Sequence, residues 1–200
     1  MATNIEKRLV MNIGIFIYND AEVLDFSGPF EVFSIAKRLG LSHWNVYLIS
    51  ESSQPIRARG GMNVTAHYSI DDVPKLDVLC VVGGEHTATM QNTSVLAWLA
   101  QVNASTTITC SICTGAFILA AAGVLQRETV TTHWQDLDDL KQQFPHLNVV
   151  SNKRWVEDGK YVTSGGISAG IDMSLFLVSK LTDMPYAKTV ARQMEYEWCE

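Results

Sequence analysis

The residues best suited to chemistry lie where an apolar, β-rich segment passes directly into a helix-forming segment. There Ser111, Cys113 and Gly115 follow the spacing of a nucleophile elbow, with cysteine as the nucleophile. The nucleophile of an elbow sits on a strained turn, so small residues two positions away on each side prevent clashes. The helix N-terminus that follows is expected to lower the pKa of the Cys113 thiol, and the N–H of Thr114 to point toward an anion near the sulfur. The alternative is that Cys113 is simply a small buried residue.

Cys113 also forms a C-x-x-C pair with Cys110. A redox dithiol places both cysteines at the start of a helix, whereas Cys110 lies inside the predicted strand, so we favour the elbow. Cys80 and Cys199 are the other two of the four cysteines. We expect all four to be reduced thiols in a cytosolic protein, because a chain with a large core does not need disulfides.

Two glycines, Gly83 and Gly84, end a second buried strand. Glycines at such a point let backbone N–H groups approach an anion closely, and beside an elbow they would supply a second oxyanion donor. The alternative is a tight turn that binds no ligand.

Asp25 lies just before a predicted helix, on the carboxyl side of the first strand. It could be a carboxylic acid that shuttles a proton near the thiol, with a pKa raised by burial between Leu24 and Phe26. The alternative is a helix-capping aspartate. Glu22 and Asp20 are rivals that lie in a more polar stretch.

His133 is the most plausible histidine partner for a Cys–His pair. A structural histidine at a helix start is the interpretation that we favour for it. The remaining histidines show no metal-ligand spacing: His43, His67, His86 and His146. We therefore predict no metal site and no cofactor.

Strands and helices alternate along most of the chain. The predicted strands cover residues 12–18, 44–50, 77–82, 106–111 and 147–150, with hairpins at 56–68 and 155–163. The predicted helices cover 29–39 (capped by Ser27), 93–102, 114–122, 135–144, 169–181 and 186–198. This order predicts an α/β fold with a doubly wound, mainly parallel sheet and helices on both faces. Ligands bind at the carboxyl ends of such strands, so the loops after Tyr18, Val82 and Ser111 are the places to search.

The amino-acid composition limits the classes of function that we expect for the protein. The chain has 200 residues, 47% of them apolar, and a net charge of −6. We expect one domain, residues 11–200, after a short polar lead-in, residues 1–10. Basic residues are not concentrated in one stretch, so binding to nucleic acid or to an anionic membrane is not expected. We predict a cytoplasmic location, since the N-terminus lacks the pattern of a signal peptide.

Five segments together resemble the ThiJ/PfpI superfamily, relatives of the class I glutamine amidotransferases. They are LDFSGPFEVF (24–33), LDVLCVVGG (76–84), SICTGAFILAAAGVL (111–125), TTHW (131–134) and TSGGISAGID (163–172). Within the superfamily the pattern is most similar to isonitrile hydratases and to the ligand-binding domain of AraC-type regulators. The resemblance implies a flavodoxin-like fold, a homodimer and an elbow cysteine that acts as nucleophile.

Carried over residue by residue, the resemblance makes Cys113 the nucleophile and Asp25 the acidic residue of the isonitrile hydratase motif. Gly84 and Thr114 match the backbone donors around the site. Thr114 stands where the protease-like branch has histidine, which makes peptidase activity doubtful. Because the sequence ends at Glu200, we expect no complete regulator of the AraC type, although a sensing role stays open.

The resulting hypothesis is an isonitrile hydratase without a metal or organic cofactor, whose substrate enters an apolar pocket. Residues 85–90 and 165–168 are the expected lining, with Glu85 and Ile167 as substrate contacts. Two alternatives remain: a glyoxalase-like or amidase-like hydrolase that uses the same cysteine, and a non-enzymatic sensor in which Cys113 is oxidised. The final helix could pack on the core or on a partner subunit.

Overall fold

The computed structural model describes residues 10–198 and is built on eleven strands and seven helices within that range. The strands are β1 (Met11–Phe16), β2 (Trp44–Ser50), β3 (Ile56–Arg57), β4 (Asn63–Val64), β5 (Tyr68–Ser69), β6 (Val78–Val81), β7 (Ile108–Ser111), β8 (Thr129–Val130), β9 (Asn148–Val149), β10 (Trp155–Asp158) and β11 (Tyr161–Ser164). The helices are α1 (Val23–Arg38), α2 (Thr87–Met90), α3 (Thr93–Asn103), α4 (Gly115–Ala121), α5 (Leu137–Gln143), α6 (Ala169–Leu181) and α7 (Met184–Gln193).

Seven strands form the central sheet, in the order β10-β11-β7-β6-β1-β2-β5. All neighbours are parallel except β10, which pairs antiparallel with β11. The middle strands are buried along their length, as in the fully buried run of β6, because helices pack on both faces. The predicted α/β fold with a mainly parallel, doubly wound sheet is therefore confirmed.

The strand order also locates the crevice where a ligand would bind. The five parallel strands β2-β1-β6-β7-β11 follow the order 2-1-3-4-5 in chain sequence, which is the flavodoxin-like arrangement. The order reverses beside β1, and ligands of such sheets bind there, outside the carboxyl ends of the strands. The loops after β1, β6 and β7 meet at this point.

Several local predictions agree with the structure. The second strand has the predicted bounds. The first hairpin is formed by β3 and β4, and both of its glycines, Gly60 and Gly61, have positive φ angles, 72° and 87°. The second hairpin joins β10 to β11 through Gly159, whose φ is 63°. These turns need a backbone conformation that glycine adopts without strain.

The predicted start of the first helix was wrong. Helix α1 begins at Val23, so Ser27 and Pro29 lie inside it. The Ser27 hydroxyl donates to the carbonyl of Val23 (2.8 Å) instead of capping the helix. Pro29 removes one helix hydrogen bond, but it is buried with Phe33 against the core, and this packing offsets the loss. Asp25 consequently lies in the first helical turn.

The final helix also differs from its prediction. Helix α7 begins after Asp183, whose side chain accepts the N–H of Tyr186 (2.8 Å), and it ends at Gln193. Val190 is fully buried, so this helix packs on the core of its own chain. The short elements α2, β5 and β8 had not been predicted, because two to four residues carry too little periodicity to detect.

No helix among residues 10–198 is both long and apolar enough to cross a membrane. Of the predicted lead-in only Val10 is described, and Cys199 also lies outside the described residues.

Candidate functional site

Cys113 occupies a strained turn between β7 and α4, as the elbow pattern predicts. Its φ is 54°, and the residue is 7% exposed. A Cβ on Gly115 would lie 2.1 Å from the carbonyl oxygen of Val81, which explains why a residue without a side chain stands there. The Thr132 hydroxyl donates to the Cys113 carbonyl (2.7 Å), and the Cys113 N–H donates to the carbonyl of Gly165 (3.3 Å). The turn is therefore held from two further segments.

Asp25 faces Cys113 from helix α1 and is fully buried. One carboxylate oxygen, Oδ2, accepts the N–H of Gly83 (3.0 Å), whereas Oδ1 has no hydrogen-bond partner in the described residues. Burial raises the pKa of Asp25 to about 7, and the negative charge of Glu22 adds to the rise. Hydrogen bonds from Gly83 and Cys113 act in the opposite direction. The expected rise is confirmed, and it makes this carboxyl able to gain or lose a proton near neutral pH.

The expected lowering of the thiol pKa was wrong. Burial, followed by the negative charges of Asp25 and Asp136, raises the pKa of Cys113 to about 12. The N–H groups of Thr114 and Ile167 lower it, but by less, so the helix N-terminus does not overcome desolvation. At neutral pH the resting sulfur is a thiol, and it can become a nucleophile only by giving its proton to a base.

Gly83 stands where Asp25, Cys113 and Thr114 meet. A Cβ at this position would lie 2.6 Å from the nitrogen of Thr114, 2.7 Å from the Cβ of Cys113 and 2.8 Å from Oδ2 of Asp25. A Cβ does not approach non-bonded atoms this closely, so glycine is required for the close approach of the three groups.

The N–H groups of Gly83 and Gly84 are not available as oxyanion donors. The Gly83 N–H binds Asp25, and the Gly84 N–H donates to the hydroxyl of Thr114 (3.0 Å). That hydroxyl in turn donates to the Gly84 carbonyl (3.0 Å). The predicted oxyanion role is therefore corrected: the two glycines connect α1, β6 and the elbow, and the N–H of Thr114 is the donor that faces the sulfur.

We expect Gly83→Ala to lower turnover by about 100-fold, because a displacement of about 1 Å between reacting groups has that effect. The added methyl group must push Asp25 away from Cys113. The measurement is kcat with saturating substrate, after circular dichroism has shown that the variant is folded. Gly159→Ala is the control: a Cβ there would meet nothing within 4 Å, so the strain at its φ of 63° should lower stability while kcat stays unchanged. Equal kcat values for the two variants would contradict the assigned geometry.

Ile167 closes the site from the segment before α6. Its φ is 53°, a strained value for a β-branched residue, and its side chain is 38% exposed. Ile167 lies with Cys113 in the lining of one cavity, and its backbone N–H lowers the pKa of both Asp25 and Cys113. Ile167, which was predicted as a substrate contact, thus also contributes its main-chain N–H to the site.

A cavity of about 370 Å³ opens above the sulfur of Cys113. It is lined by Glu22, Arg59, Gly84, Glu85, His86, Cys113, Thr114, His133, Gln135, Asp136 and Ile167. Glu85 and His86 come from the predicted lining segment 85–90, and Ile167 from segment 165–168. Most of the other side chains are polar or charged, so the expectation of an apolar pocket was wrong.

His133 lines the cavity but is held by its neighbours. Its Nδ1 lies 3.1 Å from Oδ2 of Asp136 and 3.3 Å from the nitrogen of Gln135. A Cβ on Gly166 would lie 2.1 Å from the imidazole ring, so the ring packs against that backbone. These contacts favour the structural interpretation of His133.

Besides Gln135 of the cavity lining, the sequence analysis missed three charged or titratable residues of the site. Tyr18 follows β1, and its buried hydroxyl lies among Asp25, Cys113 and Thr114; burial raises its pKa well above the ordinary value of 10. Asp136 lies before α5, and Arg59 on the first hairpin forms an ion pair with Glu22 (3.8 Å). Tyr18 could have been found, because it follows a strand at its carboxyl end. The other two are brought near only by tertiary packing.

The other described cysteines lie away from the cavity. Cys80 and Cys110 are opposite each other on β6 and β7 and are fully buried as free thiols. Across residues 10–198, no group of three or more His, Cys, Asp or Glu side chains is placed to hold a metal ion.

The chain is similar to proteins of one known family. Residues 11–180 match the model of a family described as the DJ-1/PfpI family. The chain is 33% identical over 190 residues to a protein named isonitrile hydratase from Pseudomonas putida, covering 94% of this chain and 79% of that protein. A crystal structure of a ThiJ/PfpI family protein from Pseudomonas syringae superposes with a TM-score of 0.85 and 28% identity, covering 100% of this chain and 82% of that one.

A second kind of relative is larger. The HTH-type transcriptional regulator CdhR from Pseudomonas aeruginosa is 28% identical over 171 residues, which cover 86% of this chain and 51% of the regulator. The chain thus spans about half the length of that protein. Both an enzyme and a regulator therefore carry a domain similar to this one.

Proposed function

The chain belongs to the DJ-1/PfpI family, and we propose that within it the protein is an isonitrile hydratase-like enzyme, which adds water to R–N≡C to give an N-substituted formamide. One observation carries the proposal: a fully buried carboxyl with a pKa of about 7 lies beside the cysteine thiol at the base of a cavity. The 33% identity to the Pseudomonas putida protein supports the same reaction.

In the first step the Asp25 carboxylate accepts the thiol proton as the sulfur of Cys113 adds to the terminal carbon of the isonitrile. Sulfur supplies the electron pair of the C–S bond, one π pair of the N≡C bond moves to nitrogen, and the lone pair of the carbon is left to accept a proton. Asp25, now a carboxylic acid, returns the same proton to that carbon. The product is a thioimidate, R–N=CH–S–Cys113, and Asp25 is again a carboxylate.

In the second step water adds to the thioimidate carbon, and Asp25 accepts one proton from it. Asp25 passes this proton to the nitrogen, and the resulting R–NH–CH(OH)–S–Cys113 collapses as the C–S bond breaks and the hydroxyl proton passes to the departing sulfur. The carbon retains its oxygen as the formyl group, and the thiol regains its proton. One water is consumed and the enzyme returns to its starting state.

Backbone N–H groups assist both steps, and the proposed reaction uses no cofactor. The N–H groups of Thr114 and Ile167 face the sulfur, so they stabilise the negative charge that develops there during attack and departure. The Gly83 N–H holds Oδ2 of Asp25, which leaves Oδ1 free to carry the proton.

The two alternatives differ in how well the site accommodates them. A glyoxalase-like or amidase-like hydrolase would use the same thiol and carboxyl, and only a substrate assay separates it from the hydratase. A redox sensor is less well supported, because a thiol that is 7% exposed, with a pKa raised to about 12, is not the low-pKa exposed kind that peroxide oxidises. The regulator relatives keep a ligand-sensing role as the second candidate.

The pH dependence of the reaction follows from Asp25. The carboxylate is the form that accepts the thiol proton, so kcat/KM should fall about tenfold per pH unit below about 7 and level off above it. The measurement is kcat/KM between pH 5 and 9. In Glu22→Gln the midpoint should move to lower pH, because the Glu22 charge helps to raise the pKa of Asp25. A flat profile across this range would contradict the role of Asp25.

The proposal itself is tested by incubating the purified protein with cyclohexyl isonitrile and following the formamide by chromatography. Formation of N-cyclohexylformamide at a rate proportional to enzyme concentration would support the proposal. Consumption of methylglyoxal without isonitrile turnover would favour the glyoxalase-like alternative. If neither cyclohexyl isonitrile nor methylglyoxal is consumed, the result would favour the ligand-sensing role.

A further inference from the structure

We propose that the ion pair between Arg154 and Asp172 positions the reacting groups, by fixing residues 165–168 so that the Ile167 N–H faces Asp25 and Cys113. Neither charged residue lines the cavity above Cys113. They would therefore act on the reaction through the backbone between them, as positioning residues. The catalytic part of this inference rests on the proposed function, whereas the structural part does not.

Arg154 holds the segment at both ends. Its carbonyl accepts the N–H of Gly165 (2.9 Å), and its guanidinium Nη1 donates to the hydroxyl of Ser168 (3.3 Å). The same guanidinium binds Oδ2 of Asp172 through Nε (2.6 Å) and through Nη2. Arg154 thus binds the start of the segment through its main chain, and the end of the segment and the first turn of α6 through its side chain.

Ile167 gives the reason why such a clamp is needed. A β-branched residue at φ 53° carries strain of about 1–3 kcal/mol, which persists only when the surroundings enforce it. The local hydrogen bonds of this turn are long, 3.3 Å from Ala169 to Gly166 and 3.2 Å from Gly170 to Ile167. The contacts of Arg154 with Gly165 (2.9 Å) and with Asp172 (2.6 Å) are shorter than either of these bonds.

The buried carboxylate makes the clamp rigid. Asp172 is fully buried, and its other oxygen, Oδ1, accepts the hydroxyl of Tyr196 (2.9 Å). A buried carboxylate strongly favours a charged partner, so Arg154 cannot swing away without leaving the charge uncompensated. Arg154 is still 43% exposed on its outer side, and a planar guanidinium suits two simultaneous contacts better than an ammonium does.

The decisive readout is the titration of Asp25, because the Ile167 N–H lowers its pKa. The charged or titratable groups around Asp25 and Cys113 are Tyr18, Glu22, Arg59, Cys80, Glu85, His86, His133 and Asp136, and none of them is changed in the test. The whole chain is labelled with ¹³C at the aspartate carboxyls, and the Asp25 signal is assigned by its loss in Asp25→Asn. We expect the midpoint to rise above the wild-type value in Arg154→Met.

Three further variants make the result specific. The double variant Arg154→Met/Asp172→Asn removes the clamp without changing the net charge and without stranding a buried carboxylate, so it should fold and show the same rise. Lys153→Met removes the neighbouring exposed charge, and Tyr196→Phe removes the other partner of Asp172; both should keep the wild-type midpoint. Arg154→Lys keeps the positive charge, so its Asp25 midpoint should lie between those of the wild type and Arg154→Met.

Turnover gives the second readout. Arg154→Met and the double variant should lower kcat about tenfold with KM changed less than about twofold, because neither Arg154 nor Asp172 lines the cavity. An unchanged or lowered Asp25 midpoint in the double variant would overturn the inference, as would a loss confined to KM. If no isonitrile is turned over even by the wild type, the titration still decides the structural part.

Discussion

Asp25→Asn is expected to abolish most turnover while making the folded protein more stable at pH 8. The activity should fall by about two to four orders of magnitude, since the variant lacks the group that moves the proton in both steps. Asparagine has nearly the same shape and can still accept the Gly83 N–H through its carbonyl oxygen. The loss would therefore reflect proton transfer and not a collapsed site.

The gain in stability follows from the pKa of Asp25. Because the folded-state pKa of about 7 lies above the ordinary value of 3.8, folding favours the protonated carboxyl. This favourable contribution is fully present below the ordinary pKa and is lost as the pH rises through about 7. The difference between the two pKa values corresponds to a loss of wild-type stability of at most about 4 kcal/mol at pH 8. In Asp25→Asn, the amide N–H₂ costs about 1–3 kcal/mol of stability unless it finds an acceptor. A net gain of about 1–3 kcal/mol at pH 8 should remain.

Urea unfolding of the wild type and Asp25→Asn at pH 5, 6, 7 and 8 measures this gain. The difference in free energy of unfolding should be small or reversed at pH 5 and should grow as the pH rises. Asp20→Asn is the matched control, because Asp20 is an exposed carboxylate in the preceding loop and outside the cavity lining. That variant should match the wild type in turnover and in the pH dependence of stability. A stability difference that does not change with pH would show that Asp25 does not titrate near 7.

The elbow and the main sheet could be predicted from sequence because their causes are local. The apolar strand β6 is followed by Gly83 and Gly84, and Cys113 stands between small residues at the spacing that a tight turn requires. The structure supplies the reason at Gly115, where the carbonyl of Val81 occupies the space of a side chain. Where the backbone leaves no space for a side chain, the sequence must have glycine, so such a position can be recognised from the sequence.

The pKa of Cys113 could not be predicted in the same way. The sequence shows the helix N-terminus that lowers it, but burial and the charges of Asp25 and Asp136 depend on how distant segments pack. The start of α1 was misjudged for a related reason, since the packing of Phe33 and Pro29 on the core outweighs the local signals of a cap and a proline. The contacts of Arg154 with Ser168 and Asp172 likewise join residues 14 and 18 positions apart.

Cys113→Ala is expected to remove isonitrile turnover entirely, by at least about four orders of magnitude, because no other group in the cavity can form the covalent intermediate. Cys113→Ser should be nearly as inactive, since a hydroxyl is a far weaker acid than a thiol and Asp25 would have to remove its proton. Both variants should fold, because alanine and serine are no larger than cysteine at this buried position.

Cys110→Ala provides the matched control for the loss of a buried cysteine. Cys110 is fully buried on β7 and does not line the cavity, so its removal should lower stability by about 1–3 kcal/mol while leaving kcat within a few-fold of the wild type. It also tests the dithiol interpretation of the C-x-x-C pair. A Cys110→Ala variant as inactive as Cys113→Ala would favour that interpretation over the elbow.

The same variants separate covalent from non-covalent catalysis. During turnover of cyclohexyl isonitrile, acid quenching should trap wild-type protein whose Cys113 peptide is heavier by the whole isonitrile, because addition to the terminal carbon releases no leaving group. An acyl transfer would instead add only part of its substrate, so the mass distinguishes the hydratase from an amidase. If Cys113→Ala lost turnover but the wild type never carried this adduct, Asp25 would be activating water directly and the thiol would serve only to hold it in place.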